Sequence, residues 1–176
     1  MKKIRIGSKE KIHFVGIGGI GMSGLAQVMH RMGFNVQGSD LSNSKNVERC
    51  KKINIKIFSK HNKENIKDVT IVVRSSAIKN NNPEIIAARK RKIRVLKRAE
   101  MLGYVVSLKK NIVVTGSHGK TTTTSLIAKI LSEAKLDPTI VNGGVVNSLG
   151  GSAKLGKGDW SVLEADESDG SFLDLP

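Results

Sequence analysis

Lys11-Ile12-His13-Phe14-Val15-Gly16-Ile17-Gly18-Gly19-Ile20-Gly21 joins a short apolar run to a G-x-G-x-x-G loop, and Ile20, Leu25, Val28 and Met29 then recur at helical spacing. The glycines therefore fall at a strand-to-helix turn, where backbone N–H groups and the helix N-terminus face whatever sits above the loop. A second strand, predicted over Phe34–Gly38, ends in Ser39-Asp40, a carboxylate 19 residues beyond Gly21. Strand, loop, helix, strand and acid in that order form the diphosphate- and ribose-binding arrangement of a Rossmann unit. These residues leave the nucleotide open. Tight strand–helix packing with no ligand is the competing account of the same glycines.

A second loop reads differently. Thr115-Gly116-Ser117-His118-Gly119-Lys120-Thr121-Thr122 follows the apolar run Ile112–Val114 and opens another helical stretch. Lys-Thr after a glycine turn is the chemistry of a triphosphate site: Lys120 reaches the β/γ-phosphates and the Thr121 hydroxyl ligates Mg²⁺. The generic pattern G-x-x-x-x-G-K-[ST] is missed by two residues, because only Ser117 and His118 separate the glycines.

Between the loops the pattern alternates. A helix is expected over Lys45–Lys52, strands over Ile55–Phe58 and Thr70–Val73, a helix capped by Asn82 with Pro83 at its first position and running to about Lys92, a strand over Arg94–Leu96 and a helix over Lys97–Leu108. Alternation of this kind implies a parallel sheet with helices on its faces and ligands beyond the carboxyl ends of its strands, where Ser39-Asp40, Ser59–His61 and Arg74-Ser75-Ser76 would lie. Residues 1–110 carry 25 Lys and Arg against 7 Asp and Glu, and residues 111–176 carry 5 against 8. The charge changes sign just before the second loop, which puts a domain boundary at 109/110.

The second unit is expected to run strand (Ile112–Thr115), helix (Thr121–Ala134) and strand (Thr139–Val141). A turn at Asn142-Gly143-Gly144, a loop over Val145–Gly158 and a buried strand over Trp160–Leu163 follow. That last strand delivers Glu164, Asp166, Glu167 and Asp169. Such a cluster needs solvent or a cation between its charges, and Glu164, at the strand end, is best placed to share Mg²⁺ with Thr121. Two or three strands make an incomplete second sheet, so the chain reads as a fragment.

Composition narrows the class. The single Cys50 excludes an internal disulfide and a cysteine metal cluster, which suits a reducing cytoplasm. The basic start and the apolar stretch from Ile12 to Ala26 outline a secretory signal, but His13 and five glycines interrupt it, so no export and no membrane span are expected. The net charge of +15 suits an anionic ligand. One Trp, one Tyr and four Phe, not interleaved with the basic residues, argue against nucleic acid.

Over essentially its whole length the chain resembles the Mur ligases. The likeness rests on His13–Gly24, Gly38-Ser39-Asp40, Ser75-Ser76-Ala77-Ile78, Arg98-Ala99-Glu100-Met101-Leu102, the Gly116 loop and Glu164-Ala165-Asp166-Glu167-Ser168-Asp169. The short G-x-x-G-K-T loop is that family's own form, with Ser117 in place of the more usual Thr. The resemblance implies an α/β architecture: a Rossmann-like parallel-sheet domain over residues 1–109, then the start of a P-loop-type α/β central ATPase domain over 110–176, truncated and without the C-terminal domain. It implies a cytoplasmic ligation in peptidoglycan synthesis, in which ATP activates the carboxylate of UDP-N-acetylmuramate as an acyl phosphate and the amine of L-alanine attacks. ATP contacts would come from Gly116, Ser117, His118 (by its backbone), Gly119, Lys120, Thr121 and Thr122, with Lys120 catalytic and Thr121 and Glu164 on Mg²⁺. Sugar-nucleotide contacts would come from Gly16, Gly18, Gly19, Ile20, Gly21, Met22, Ser39, Asp40, His61, Ser75, Arg98 and Asn142. A sister ligase adding a whole peptide to the same sugar nucleotide, a NAD-binding Rossmann oxidoreductase module and a non-catalytic nucleotide-binding module are the rival classes.

Overall fold

The computed structural model describes residues 6, 7, 9–146, 151–154 and 156–165. Fourteen elements of regular α and β structure and one 3₁₀ turn follow one another in these residues: β1 (Lys11–Val15), α1 (Ile20–Arg31), β2 (Asn35–Ser39), α2 (Lys45–Lys52), β3 (Lys56–Phe58), the 3₁₀ turn Lys63–Ile66, β4 (Ile71–Arg74), α3 (Pro83–Lys90), β5 (Arg94–Lys97), α4 (Arg98–Val106), β6 (Lys110–Val114), α5 (Lys120–Glu133), β7 (Thr139–Val146), β8 (Gly151–Lys154) and β9 (Trp160–Glu164).

The first sheet has the order β3-β2-β1-β4-β5, with every pairing parallel. Helices cover both of its faces because β1 alternates. Ile12 and Phe14 join the cluster of Met22, Leu25 and Met29 from α1 with Met101 and Leu102 from α4, while Val15 packs on the other face with Ile85 and Ala88 of α3. Strand order reverses between β1 and β4, and the crevice beyond the carboxyl ends of those strands is where such sheets hold ligands. Local chemistry sets the start of α3 as expected: Asn82 Oδ1 accepts from the N–H of Glu84 at 2.9 Å, and Pro83 begins the helix, which runs to Lys90.

The second sheet departs from expectation. Its order is β6-β9-β7-β8; β6–β9 and β9–β7 are parallel and β7–β8 antiparallel. Asn142-Gly143-Gly144 is not a turn but part of β7, and the predicted loop contains β8. The β7–β8 register shifts between Val141 and Val146, the stretch that holds Gly143 and Gly144, and glycine inside a strand often marks such an irregularity. Periodicity could not reveal β8, whose partner is the antiparallel strand β7. Val141 of β7 and Leu163 of β9 join the same apolar cluster as α1, so the second sheet packs against the first unit.

Candidate functional site

The first glycine loop is closed by its neighbours. Gly16 has φ +79°, open to glycine at little cost, and the carbonyl of Ser39 accepts the N–H groups of Gly16 and Ile17 at 2.9 and 3.1 Å. Asp40 Oδ2 accepts from the N–H of Gly18 at 2.7 Å, while its Oδ1 accepts from the backbone and hydroxyl of Ser42 at 2.9 and 2.7 Å. A Cβ on Gly18 would lie 2.8 Å from that same Asp40 oxygen. The carboxylate thus takes the Gly18 N–H, and Oδ2, with this one donor, keeps capacity to accept another. Arg98, at the start of α4, reaches over α1 so that its Nη1 lies 3.2 Å from where a Gly21 Cβ would be. Ser75 adjoins Gly16 from the end of β4, its Cβ 3.2 Å from where a Gly16 Cβ would be.

Of the other expected contacts, Met22 is buried in the apolar core, which leaves only its backbone for a ligand, and Ser39 is fully buried. The side chains of Ile20 and Asn142, and Asp166, Glu167 and Asp169 altogether, lie outside the described residues.

His61 belongs to a network whose centre the sequence did not single out. Glu84 on α3 is fully buried. Its Oε2 accepts from Ser39 Oγ at 2.6 Å and from His61 Nδ1 at 3.0 Å; its Oε1 accepts from Asn65 Nδ2 at 2.6 Å and faces His13 Nε2 at 3.3 Å. Gln37 Nε2 donates to the Asn65 carbonyl at 2.6 Å and lies 3.2 Å from His13 Nδ1, which turns the Nε2 edge of His13 toward Glu84. Burial pushes the Glu84 carboxyl up, but His13, through hydrogen bonding and charge, together with Ser39 and Asn65, outweighs it and holds the group down at about 2. One buried carboxylate thus ties together β1, the end of β2, the segment after β3 and α3. Its only sequence signals were a histidine amid an apolar strand and an acid in the first turn of α3.

The second loop is looser. Gly116 and Gly119 have φ +135° and +76°, and a Cβ on Gly119 would meet nothing within 4 Å. Lys120 Nζ donates to the Gly116 carbonyl at 2.6 Å, folding the ammonium into the turn, and the Thr121 hydroxyl donates to Glu164 Oε2 at 3.0 Å. The parallel register Val114↔Glu164 brings the acid beside the loop. Ser117, His118 and Thr122 are exposed. Cys50, by contrast, is inert: burial pushes its thiol up to about 12. Among the described residues no group of three or more His, Cys, Asp or Glu is arranged to hold a metal, and no helix is long and apolar enough to cross a membrane.

Two glycine loops at the carboxyl ends of two sheets, the second carrying Lys-Thr beside a strand-end glutamate, define a class, and comparison with known families agrees: the chain belongs to the Mur ligase family. Residues 11–110 match the Mur ligase family, catalytic domain, and residues 114–166 match the Mur ligase middle domain. Within that family it is 67% identical to the UDP-N-acetylmuramate–L-alanine ligase of Pelagibacter ubique (strain HTCC1062) over 99% of this chain, and it spans 38% of the length of that relative. Among solved structures it is similar to the UDP-N-acetylmuramate–alanine ligase of Thermotoga maritima (TM-score 0.81, 35% identity, 88% of this chain and 37% of that one). It is also similar to the UDP-N-acetylmuramate:L-alanyl-gamma-D-glutamyl-meso-diaminopimelate ligase of Neisseria meningitides (TM-score 0.83, 27% identity, 92% of this chain and 54% of that one).

Proposed function

We propose that this chain supplies the sugar-nucleotide site and the phosphate loop of an ATP-dependent ligase that joins L-alanine to the carboxylate of UDP-N-acetylmuramate in the cytoplasm. Residues 1–109 hold the sugar nucleotide and residues 110–176 begin the ATP-binding unit. The observation that carries the reading is the pairing of the loops in one chain. A dehydrogenase module would use the Gly16 loop and Asp40 but would leave Lys120, Thr121 and Glu164 without a task, whereas a ligase that transfers phosphoryl to a sugar-nucleotide carboxylate needs both. Preference for L-alanine over a peptide substrate rests on the higher identity to the alanine-adding relatives.

In this reading the diphosphate lies over the Gly16–Gly21 loop, with Arg98 supplying positive charge above α1 and Asp40 accepting from ribose hydroxyls. Lys120 leaves the Gly116 carbonyl and stabilises charge on the transferring γ-phosphoryl group, while the backbone of Gly116–Thr122 cradles the phosphates. The muramyl carboxylate takes that phosphoryl group as an acyl phosphate. The amine of L-alanine then displaces inorganic phosphate, forming the amide. Thr121 and Glu164 are a hydroxyl and a carboxylate in contact, a hard-oxygen pair suited to Mg²⁺. When bound, Mg²⁺ would supply charge neutralisation at the phosphates.

Calorimetric titration of the purified chain with UDP-N-acetylmuramate, and with NADH in parallel, tests the reading. Saturable binding of the sugar nucleotide alone, lost in Gly18→Val, is expected. Binding of NADH alone would replace the ligase reading with a dehydrogenase-type module.

A further inference from the structure

Glu84 meets two residues at the carboxyl ends of neighbouring strands, Ser39 at the end of β2 and His61 just after β3. Ser39 donates to it through Oγ, and the carbonyl of the same residue fixes Gly16 and Ile17. His61 meets it through Nδ1. An ionised carboxylate can only accept, and the one hydroxyl hydrogen of Ser39 goes to Glu84 Oε2 at 2.6 Å. The Ser39 oxygen, 2.9 Å from His61 Nδ1, therefore presents a lone pair to that nitrogen. Both neighbours of Nδ1 are acceptors, so Nδ1 carries a proton. In the neutral ring Nε2 is then a bare acceptor. The His61 side chain is 12% exposed and that of Glu84 is 0% exposed; with Nδ1 engaged by Glu84 and Ser39, the Nε2 edge is the one left to meet a ligand.

We infer that Glu84 is a positioning residue for the sugar-nucleotide site: it locks His61 in the Nδ1–H tautomer and turns Nε2 outward as an acceptor for a hydrogen-bond donor on the nucleoside end of the ligand. This rests on the sugar-nucleotide reading of the first loop. Histidines that bind through one ring nitrogen commonly have their tautomer set by the partner of the other, and the buried Glu84 fills that second place here. Asn65 donates to the carboxylate's other oxygen, which His13 Nε2 faces at 3.3 Å, and Gln37 holds Asn65 and His13 in place, so that the carboxylate does not rotate away from His61.

Two measurements on the whole chain test it. Long-range ¹H–¹⁵N correlation of the imidazole rings reads the tautomer directly, and titration with uridine diphosphate reads the ligand-facing role. Expected are the Nδ1–H form for His61 in the unmodified chain and conversion to Nε2–H in Glu84→Gln, whose amide can donate to Nδ1. Affinity for uridine diphosphate should fall roughly tenfold in Glu84→Gln and in His61→Asn, the latter keeping a donor toward Glu84 but lacking an atom at the Nε2 position. A purely structural role for Glu84 would leave the tautomer unmoved. An Nε2–H ring in the unmodified chain, or unchanged affinity in either variant, overturns the inference. Should Glu84→Gln not fold, the spectrum of the unmodified chain and His61→Asn still decide it. An unmodified chain that shows the Nδ1–H ring but binds no uridine diphosphate overturns the site reading, and with it the ligand-facing role, while leaving the tautomer assignment intact.

Discussion

The two glycine loops of this chain use the same residue for opposite reasons. At the first, Gly16 makes the turn at φ +79°, but Gly18 in the loop and Gly38 in the adjoining strand β2 are glycines because there is no room: a Cβ at Gly38 would sit 2.6 Å from Ile17 Cδ1 and 2.8 Å from the Phe14 carbonyl oxygen, and one at Gly18 would strike Asp40. In the second, Gly119 is a glycine because of its backbone angle, φ +76°, with open space around it. The first loop is held by a buried polar network and both faces of a sheet. The second has Lys120 turned inward and a side-chain hydrogen bond from Thr121 to Glu164. A packed loop fixes a shape before the ligand arrives, whereas an open one leaves its phosphate ligands to do part of the ordering.

Several substitutions would break or sharpen that contrast, and the largest effect belongs to the network. Glu84→Ala strands the donors of Ser39, His61 and Asn65 in a buried site and should cost about 3 kcal/mol or more in urea unfolding. Gly38→Ala comes next at about 2 to 3 kcal/mol, because one of the atoms in the way is backbone and cannot rotate aside. Acid probes the same carboxylate. Its folded value of about 2 lies below the ordinary 4.5, so the stability it confers is fully present above pH 4.5 and drains away as pH falls toward 2. Glu84→Gln should flatten that limb of the unfolding midpoint against pH. Gly119→Ala should cost only about 1 kcal/mol, through backbone strain alone. Lys120→Ala, whose one described partner is a carbonyl oxygen, should change stability by less than about 0.5 kcal/mol while abolishing ATP binding. A cost at Gly119 equal to that at Gly38 would erase the contrast.

Much of the first sheet was legible because its rules are local. Strand, glycine turn, helix and acid follow in order, and Asn82-Pro83 marks its own helix start. The second sheet was half legible. β6, α5 and β9 carry apolar or helical periodicity, but β8 depends on pairing with a glycine-bearing strand, which no window of sequence reports. At the site, the loops and Glu164 announce themselves by spacing. Glu84 does not: its partners stand 71, 45, 23 and 19 residues away at His13, Ser39, His61 and Asn65, and only the sheet order brings them together. Met22 shows the opposite limit, a residue next to a glycine-rich motif whose side chain the helix turns into the core.

The central claim is that the two loops hold two different nucleotides, and amide chemical-shift mapping of the whole chain tests it most directly. UDP-N-acetylmuramate should shift the amides of Gly16–Gly21 and Ser39-Asp40 and leave Gly116–Thr122 in place, and ATP with Mg²⁺ should do the reverse. A single loop answering to both ligands, or the sugar nucleotide perturbing only the Lys120 loop, would contradict the account.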